Sequence, residues 1–116
     1  ASSTRHAYHL YTVQVDDEQC GMSRDDFLDA MTRARIGVGV HYLSLGEHPY
    51  YQHRYGWRPE DCPVAMSIGR KTVSLPLSAN LLDADIADVC SAVEELKLIC
   101  SWQPAIARLL RTEHGR

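Results

Sequence analysis

The residues best suited to chemistry lie in one short segment, where two glycines precede a histidine and a tyrosine. Gly37 and Gly39 alternate with β-branched residues in a run that ends at His41 and Tyr42. Glycines inside a strand often mark close approach by a ligand or by another backbone. A histidine at such a strand end can donate to a phosphate oxygen and adds charge when protonated. The segment predicts a ligand-binding strand end, and the alternative is a histidine that hydrogen-bonds its own loop beside a packed tyrosine.

Other chemistries find little support in the sequence. His48 and His53 are five residues apart, which misplaces them for the i, i+4 helix pair of a zinc protease. A cysteine–histidine nucleophile is conceivable, but no local signature surrounds any cysteine. The chain has neither a P-loop nor a complete dinucleotide-binding glycine fingerprint. Lys71 and Lys97, the only two lysines, fall on predicted helices.

Charge and cysteine usage point away from several classes of protein. The 12 basic and 15 acidic residues give a formal net charge of -3, so we expect no nucleic-acid partner. No apolar run approaches the roughly 20 residues of a membrane span, and no signal-peptide core is visible. The four cysteines lack the C-x-x-C spacing of a zinc or redox motif, so we expect free thiols in a reducing cytoplasm.

Periodicity predicts an α+β fold with a small sheet, mainly antiparallel, covered by helices. Alternating and β-branched runs predict strands at residues 7–15, 36–41 and 73–77. Helices are expected from residue 23 to about 36, at 63–72 and at 83–99, and the stretch at 43–63 is irregular, with one helical turn near 48–52. A break at residues 102–104 precedes a short final helix. The length of 116 residues fits one domain.

Two helices carry the clearest local signals. Ser23 followed by Asp26 is a capping pattern, in which the serine hydroxyl accepts a backbone N–H at the helix start. The helix that follows should carry an apolar stripe of Phe27, Leu28, Met31 and Ala34. The helix at 83–99 should pack an apolar stripe on the sheet, with Cys90 buried as a small apolar side chain. The stripe comprises Ile86, Val89, Cys90, Val93 and Leu96.

An ordered set of segments resembles the DegT-type (DegT/DnrJ/StrS) nucleotide-sugar aminotransferases, which depend on pyridoxal phosphate (PLP). RIGVGVHYLSL at residues 35–45 is similar to their RGIGTGVHYPPLH, and HAYHLYTVQV at 6–15 to their SAYHLFVVRV. Weaker matches keep the same order at residues 24–28, 49–52, 62–65, 74–78 and 81–89. The resemblance covers residues 5 to about 97, and residues 98–116 form a helical extension outside it.

The resemblance implies that the chain is the C-terminal small domain of such an enzyme. The family's large N-terminal domain carries the Schiff-base lysine and the phosphate cup, so this chain alone is expected to hold no PLP and to be inactive. Its contribution would be substrate binding, with His41 and Tyr42 facing the cleft that takes the nucleotide sugar. The implied partners are the large domain and a second subunit of a homodimer. The implied reaction passes an amino group, from glutamate, to a keto sugar.

The chain also departs from the family pattern. Leu43 and Ser44 replace the usual Pro-Pro, and Leu82 occupies the usual threonine cap position. A reading from a different class is a stand-alone, non-catalytic α+β module that binds a small ligand or a protein. The DNA upstream of the reading frame would discriminate the two, because an in-frame domain with a PLP lysine decides for the enzyme.

Overall fold

The structure is a computed structural model that describes residue 5 and residues 7–112, with side chains described through residue 97. The described chain forms a two-stranded sheet and five α-helices. In chain order these are β1 (Tyr11–Gln14), α1 (Asp17–Cys20), α2 (Arg24–Arg33), α3 (Pro49–Tyr55), α4 (Pro63–Lys71), β2 (Thr72–Leu75) and α5 (Asp83–Thr112). This arrangement confirms the predicted α+β fold.

The sheet is antiparallel, as predicted, but smaller than the sequence indicated. β1 pairs with β2 in a register that sets Val13 opposite Val73 and Thr12 opposite Ser74. On the other edge of β2, Gly39 forms an isolated bridge with Ser74, through Gly39 N–H to Ser74 O (3.1 Å) and Ser74 N–H to Gly39 O (2.7 Å). β2 therefore lies between β1 and the 37–41 segment.

One predicted strand does not form and the other two are shorter than predicted, since the strand expected at 73–77 spans only Thr72–Leu75. The segment at 36–41 is not a strand, and its backbone pairs with β2 only at the single bridge of Gly39. Glycines at alternate positions weaken a strand because they have no side chains to pack. The strand predicted from residue 7 begins only at Tyr11. Tyr8 has φ 51°, in the left-handed region, so the backbone before β1 cannot stay extended.

The core lies between the sheet and two helices. Val15, Phe27, Met31 and Val73 form the buried cluster, and Met31 and Val73 are fully buried. At the start of α2, Ser23 Oγ accepts the Asp26 N–H at 3.1 Å, which confirms the predicted cap. Phe27 and Met31 lie one helical turn apart on α2 and face the core as predicted, and Leu28 packs against it. The prediction was wrong for Ala34, which is exposed because α2 ends at Arg33.

The buried face of α5 is rotated slightly from the predicted stripe. Val89, Ala92, Val93 and Leu96 pack against the core, which is an i, i+3, i+4, i+7 set. The prediction was wrong for Ile86, which is 50% exposed, and for Cys90, which is exposed as a free thiol. Cys90 is one residue past Val89 along the chain, so it turns about 100° away from the packed face.

The middle of the chain is more helical than the irregular stretch that the sequence indicated. A 3₁₀ turn at Leu45–Glu47 leads into α3, Gly56 ends α3 with φ 66°, and a second 3₁₀ turn spans Pro59–Asp61. α3 contains the helical turn predicted near 48–52. Proline starts α4, as predicted, and α4 runs directly into β2.

The far end of α5 differs from the sequence prediction. The helix is continuous to Thr112, without the break predicted at 102–104. A proline removes one backbone hydrogen bond and bends a helix without necessarily ending it. The side chains expected on the final helix, Ile106, Leu109 and Leu110, lie outside the described side chains.

One partly buried ion pair ties the end of α4 to the loop that follows β1. Lys71 Nζ donates to Asp16 Oδ2 at 2.6 Å, and Val15 N–H donates to Lys71 O at 2.8 Å. The hydrogen bond from Lys71 lowers the pKa of Asp16 below its ordinary value of 3.8. The same bond raises the pKa of Lys71 above its ordinary value of 10.5. Both side chains are therefore charged across the neutral range.

Val93→Ala tests the packing of α5. The substitution removes two methyl groups from the packed face and should lower the free energy of unfolding by about 1–2 kcal/mol, through lost burial and a residual cavity. Urea denaturation measures the change. Cys90→Ala, on the exposed side of the same helix, is the matched control and should leave the midpoint unchanged. Equal midpoints for wild type and Val93→Ala would contradict this packing.

Lys71→Met tests the ion pair through pH. The Asp16 contribution to stability is fully present above pH 3.8, the ordinary pKa of an aspartate. It is lost as the pH falls through the lower pKa of the folded state. The Lys71 contribution is present below 10.5 and is lost as the pH rises through the higher folded pKa. The stability difference between wild type and Lys71→Met should therefore be largest between about pH 5 and pH 9 and should shrink at both extremes. Lys97→Met, at an exposed lysine of α5, should show no such profile in the same urea titrations.

Candidate functional site

The His41 ring is held in place by β2 and by a glycine. Its Nδ1 lies 2.9 Å from Ser74 Oγ, and Ser74 is only 5% exposed. The ring also lies against Gly39, where an added Cβ would come within 3.1 Å of His41 Cε1. Glycine is therefore the residue that leaves room for this ring position. The hydrogen bond to Ser74 occupies Nδ1 and leaves Nε2 as the second polar atom of the side chain.

Tyr42 lies beside His41 but points into solvent. The two rings meet edge to face, with centroids 4.9 Å apart and an interplanar angle of 82°. The Tyr42 side chain is 69% exposed. Its backbone packs closely on α4, because a Cβ on Gly69 would lie 3.3 Å from Tyr42 O and 2.9 Å from Ser44 N. The structure thus places the two predicted site residues, with their rings in contact, on the end of α4 and on β2.

Sequence reasoning missed Ser74 as a site residue, and it singled out Gly39 without identifying what approaches it. Ser74 was read only as part of a short strand, although its hydroxyl anchors the histidine side chain. Alternating glycines were the available signal for Gly39, and its partner could not be identified without the register of β2. Leu43 and Ser44, which replace the family's Pro-Pro, form the segment that α4 touches at Gly69.

Aromatic residues gather next to this site, in and after α3. The aromatic cluster consists of Tyr50, Tyr51, Tyr55 and Trp57. Tyr51 stacks on Trp57 with centroids 5.3 Å apart at 12°, and on Tyr55 at 6.1 Å and 24°. Gln52 Nε2 donates to Gly46 O at 2.7 Å, which pins α3 to the preceding 3₁₀ turn. The cluster is therefore preformed.

Many of the exposed large apolar side chains lie between residues 42 and 68. We call the following residues the exposed apolar surface: Tyr42, Leu43, Leu45, Tyr50, Tyr55, Trp57, Val64 and Ile68, each at least 43% exposed. The short helices that carry them pack on one another. Large apolar side chains clustered on a monomer usually mark an interaction site.

The described residues contain neither a cluster of metal ligands nor a helix that could span a membrane. Within residues 5 and 7–112, no three histidine, cysteine or acidic side chains come together as metal ligands. None of the described helices combines the length and the apolar character that crossing a bilayer requires.

Comparison with known proteins places this site in a family context. A profile of the DegT/DnrJ/EryC1/StrS aminotransferase family matches residues 1–94. The spore coat polysaccharide biosynthesis protein SpsC of Bacillus subtilis (strain 168) is 40% identical over 93 residues, covering 79% of this chain and 24% of SpsC. The uncharacterized protein MJ1066 of Methanocaldococcus jannaschii is 30% identical over 92 residues, with the same coverage of 79% and 24%.

Solved structures share the fold. The "Putative sugar aminotransferase Spr1654" from Streptococcus pneumoniae superposes with a TM-score of 0.70 at 23% identity, in both its apo form and its PMP form. The superposition covers 79% of this chain and 23% of that protein. This chain thus spans about a quarter of the length of the curated relatives it matches. Because the family profile covers most of the sequence, including His41 and Tyr42, the chain belongs to the DegT/DnrJ/EryC1/StrS aminotransferase family.

Proposed function

We propose that this chain is the C-terminal small domain of a PLP-dependent sugar aminotransferase and that it binds the substrate. The observation that carries the proposal is the family match over residues 1–94, in a chain about a quarter as long as its curated relatives. The complete protein would transfer an amino group from glutamate to a keto nucleotide sugar. Residues 1–116 would form one domain, with the end of α5 as a helical extension, in a cytoplasmic protein. The family match favours this function over a stand-alone, non-catalytic module.

The described residues do not fit PLP itself. A Schiff-base lysine must lose its proton, whereas the bond to Asp16 raises the pKa of Lys71 and keeps it charged. Lys97 borders a cavity of about 530 Å³ between β1, α1, α2 and α5. Among the described residues, the lining of that cavity consists of apolar, amide and thiol side chains beside Lys97, without a carboxylate for the pyridine nitrogen or a hydroxyl or arginine for the phosphate. We therefore assign neither PLP binding nor a catalytic role to any described residue.

Substrate binding is assigned to His41 and Tyr42. Ser74 orients the imidazole so that Nε2 is the atom available to a ligand, and an imidazole N–H is a good donor to a phosphate oxygen. The phosphates of a nucleotide sugar supply such oxygens. The exposed Tyr42 ring provides a neighbouring flat surface for a sugar or a base. Ser74 would act as a positioning residue, because its hydroxyl hydrogen-bonds the histidine ring.

The exposed apolar surface supports the proposed partners. Tyrosine and tryptophan are enriched where proteins bind one another, and the aromatic cluster presents both. We assign this surface to contacts with the enzyme's own large domain and with the second subunit of a homodimer. Neither a nucleic acid nor a membrane is proposed as a partner.

His41→Asn in the complete protein tests the substrate role. Loss of a hydrogen bond to a charged phosphate should weaken nucleotide-sugar binding by about 1.5–3 kcal/mol, or about 10- to 100-fold. Isothermal titration measures the affinity, and the visible absorbance of bound PLP should stay unchanged. His53→Asn, at an exposed histidine of α3, is the matched control.

The His41→Asn variant also distinguishes a role of His41 in substrate binding from a role in the stability of the fold. Wild-type affinity in His41→Asn together with a lowered melting temperature would assign the histidine to the fold. Ser74→Ala should reproduce part of the affinity loss, because the ring would no longer be oriented.

Self-association of the 116-residue chain tests the exposed apolar surface. With its partners absent, the chain should associate at high micromolar concentrations, as sedimentation equilibrium can measure. Val64→Glu adds a charge at a side chain that is 71% exposed and should weaken association. Leu82→Glu, at a residue 69% exposed outside this surface, should not. A wild-type chain that stays monomeric, or equal effects of both variants, would refute the assignment.

A further inference from the structure

A small groove lies beside His41 and contains a second histidine. It occupies about 250 Å³ between the residues that precede β1, the 37–41 segment and β2. His9, His41 and Ser74 are its polar side chains, and Gly37 and Gly39 leave two positions of its wall without side chains. The groove therefore joins two imidazoles that are 32 positions apart in the sequence.

His9 reaches the groove because the backbone turns just before it. Tyr8 has φ 51°, which interrupts the extended chain and separates His9 from the regular pairing that begins at Tyr11. A bulky residue with positive φ is uncommon, and such conformations concentrate at ligand sites. His9 is exposed, so its side chain is not required to fill the core.

The two glycines have different roles in the groove. A Cβ on Gly39 would collide with the His41 ring, whereas a Cβ on Gly37 would meet no heavy atom within 4 Å. The His41 ring therefore occupies the space beside Gly39, whereas no protein atom occupies the space beside Gly37. An open wall position next to two imidazoles leaves room for a ligand.

The remaining lining favours an anion over a cation. Among the described residues, no aspartate or glutamate lines the groove, and its other walls are Leu10, Val38, Leu75 and Leu77. Apolar walls lower the local dielectric and strengthen hydrogen bonds to a charged group. Imidazole N–H groups donate to phosphate oxygens, and protonated imidazoles also supply positive charge.

We propose that His9 and His41 together form a two-point site for a diphosphate group, with each imidazole contacting one phosphate. The inference rests on the proposed function, since it extends the nucleotide-sugar site from His41 to His9. His9 would be a specificity residue that distinguishes a diphosphate from a single phosphate. His41 remains oriented by Ser74 throughout.

The test uses the 116-residue chain and two probes, inorganic pyrophosphate and inorganic phosphate. Histidine ring signals (Hε1–Cε1) are followed by NMR during each titration. Pyrophosphate should shift the signals of His9 and His41 together and saturably, and should bind about tenfold more tightly than phosphate. His48 and His53, which lie outside the groove, should not follow the same curve.

Three variants sharpen the result. His9→Asn should weaken pyrophosphate binding about tenfold and bring it close to phosphate, while His48→Asn should have no effect. Gly37→Val should abolish binding by filling the open wall position, with an unchanged melting temperature showing that the fold is intact. Equal affinity for the two probes, or binding that survives Gly37→Val, would overturn the site.

The outcomes also separate this inference from the proposed function. A shift of His41 alone, with His9→Asn binding like wild type, would refute the role of His9 and leave the His41 role standing. No response of either histidine to pyrophosphate would refute the two-point site. Nucleotide-sugar binding by the complete protein, measured with His41→Asn, would then decide the proposed function independently.

Discussion

Ser74 is the residue on which the site and the sheet both depend. Its backbone N–H and carbonyl bond Gly39, it lies opposite Thr12 in the sheet register, and its hydroxyl meets His41 Nδ1. It is 5% exposed, so each of these polar groups needs a partner inside the protein. Any ligand that enters beside His41 therefore meets a side chain whose position is determined by the sheet register.

A second constraint comes from the close contact at Gly69. This glycine lies near the end of α4, just before the chain enters β2, and its missing side chain lets the helix touch the backbone of residues 42–44. The Lys71–Asp16 pair then fixes the end of α4 to the start of α1. Tyr42 and β2 are consequently placed from the same helix, which couples the outer part of the site to the core.

The sequence predicted those parts of the fold that depend on neighbouring residues better than those that depend on distant contacts. The α2 cap, the α4 start and the burial of Phe27 and Met31 were predicted correctly, because capping, proline and helical spacing act within a few residues. The prediction of a strand at 36–41 was wrong. Whether a segment with two glycines becomes a strand depends on how many backbone hydrogen bonds it makes with β2, and only Gly39 pairs with Ser74. Cys90 was misplaced because an apolar stripe read from sequence does not fix the rotation of α5 against the sheet.

The site shows the same division. His41 and Tyr42 could be proposed as site residues from their position after alternating glycines and from the family resemblance. Ser74 and His9 could not, because the fold alone brings the Ser74 hydroxyl to His41 and places His9 in the same groove, across 33 and 32 positions of sequence. A sequence pattern can identify His41 as a candidate residue. The register of β2 and the backbone turn at Tyr8 determine which other side chains lie near it.

The described chain buries few apolar side chains and exposes many. Among the described residues, five apolar side chains are buried: Val15, Phe27, Met31, Met66 and Val73. By contrast, the exposed apolar surface gathers eight large apolar side chains between residues 42 and 68. Burying such area stabilises an assembly by about 25 cal/mol per Å² before the costs of association. Because α4 links this surface to β2, contacts made on it would also brace the strand that holds His41.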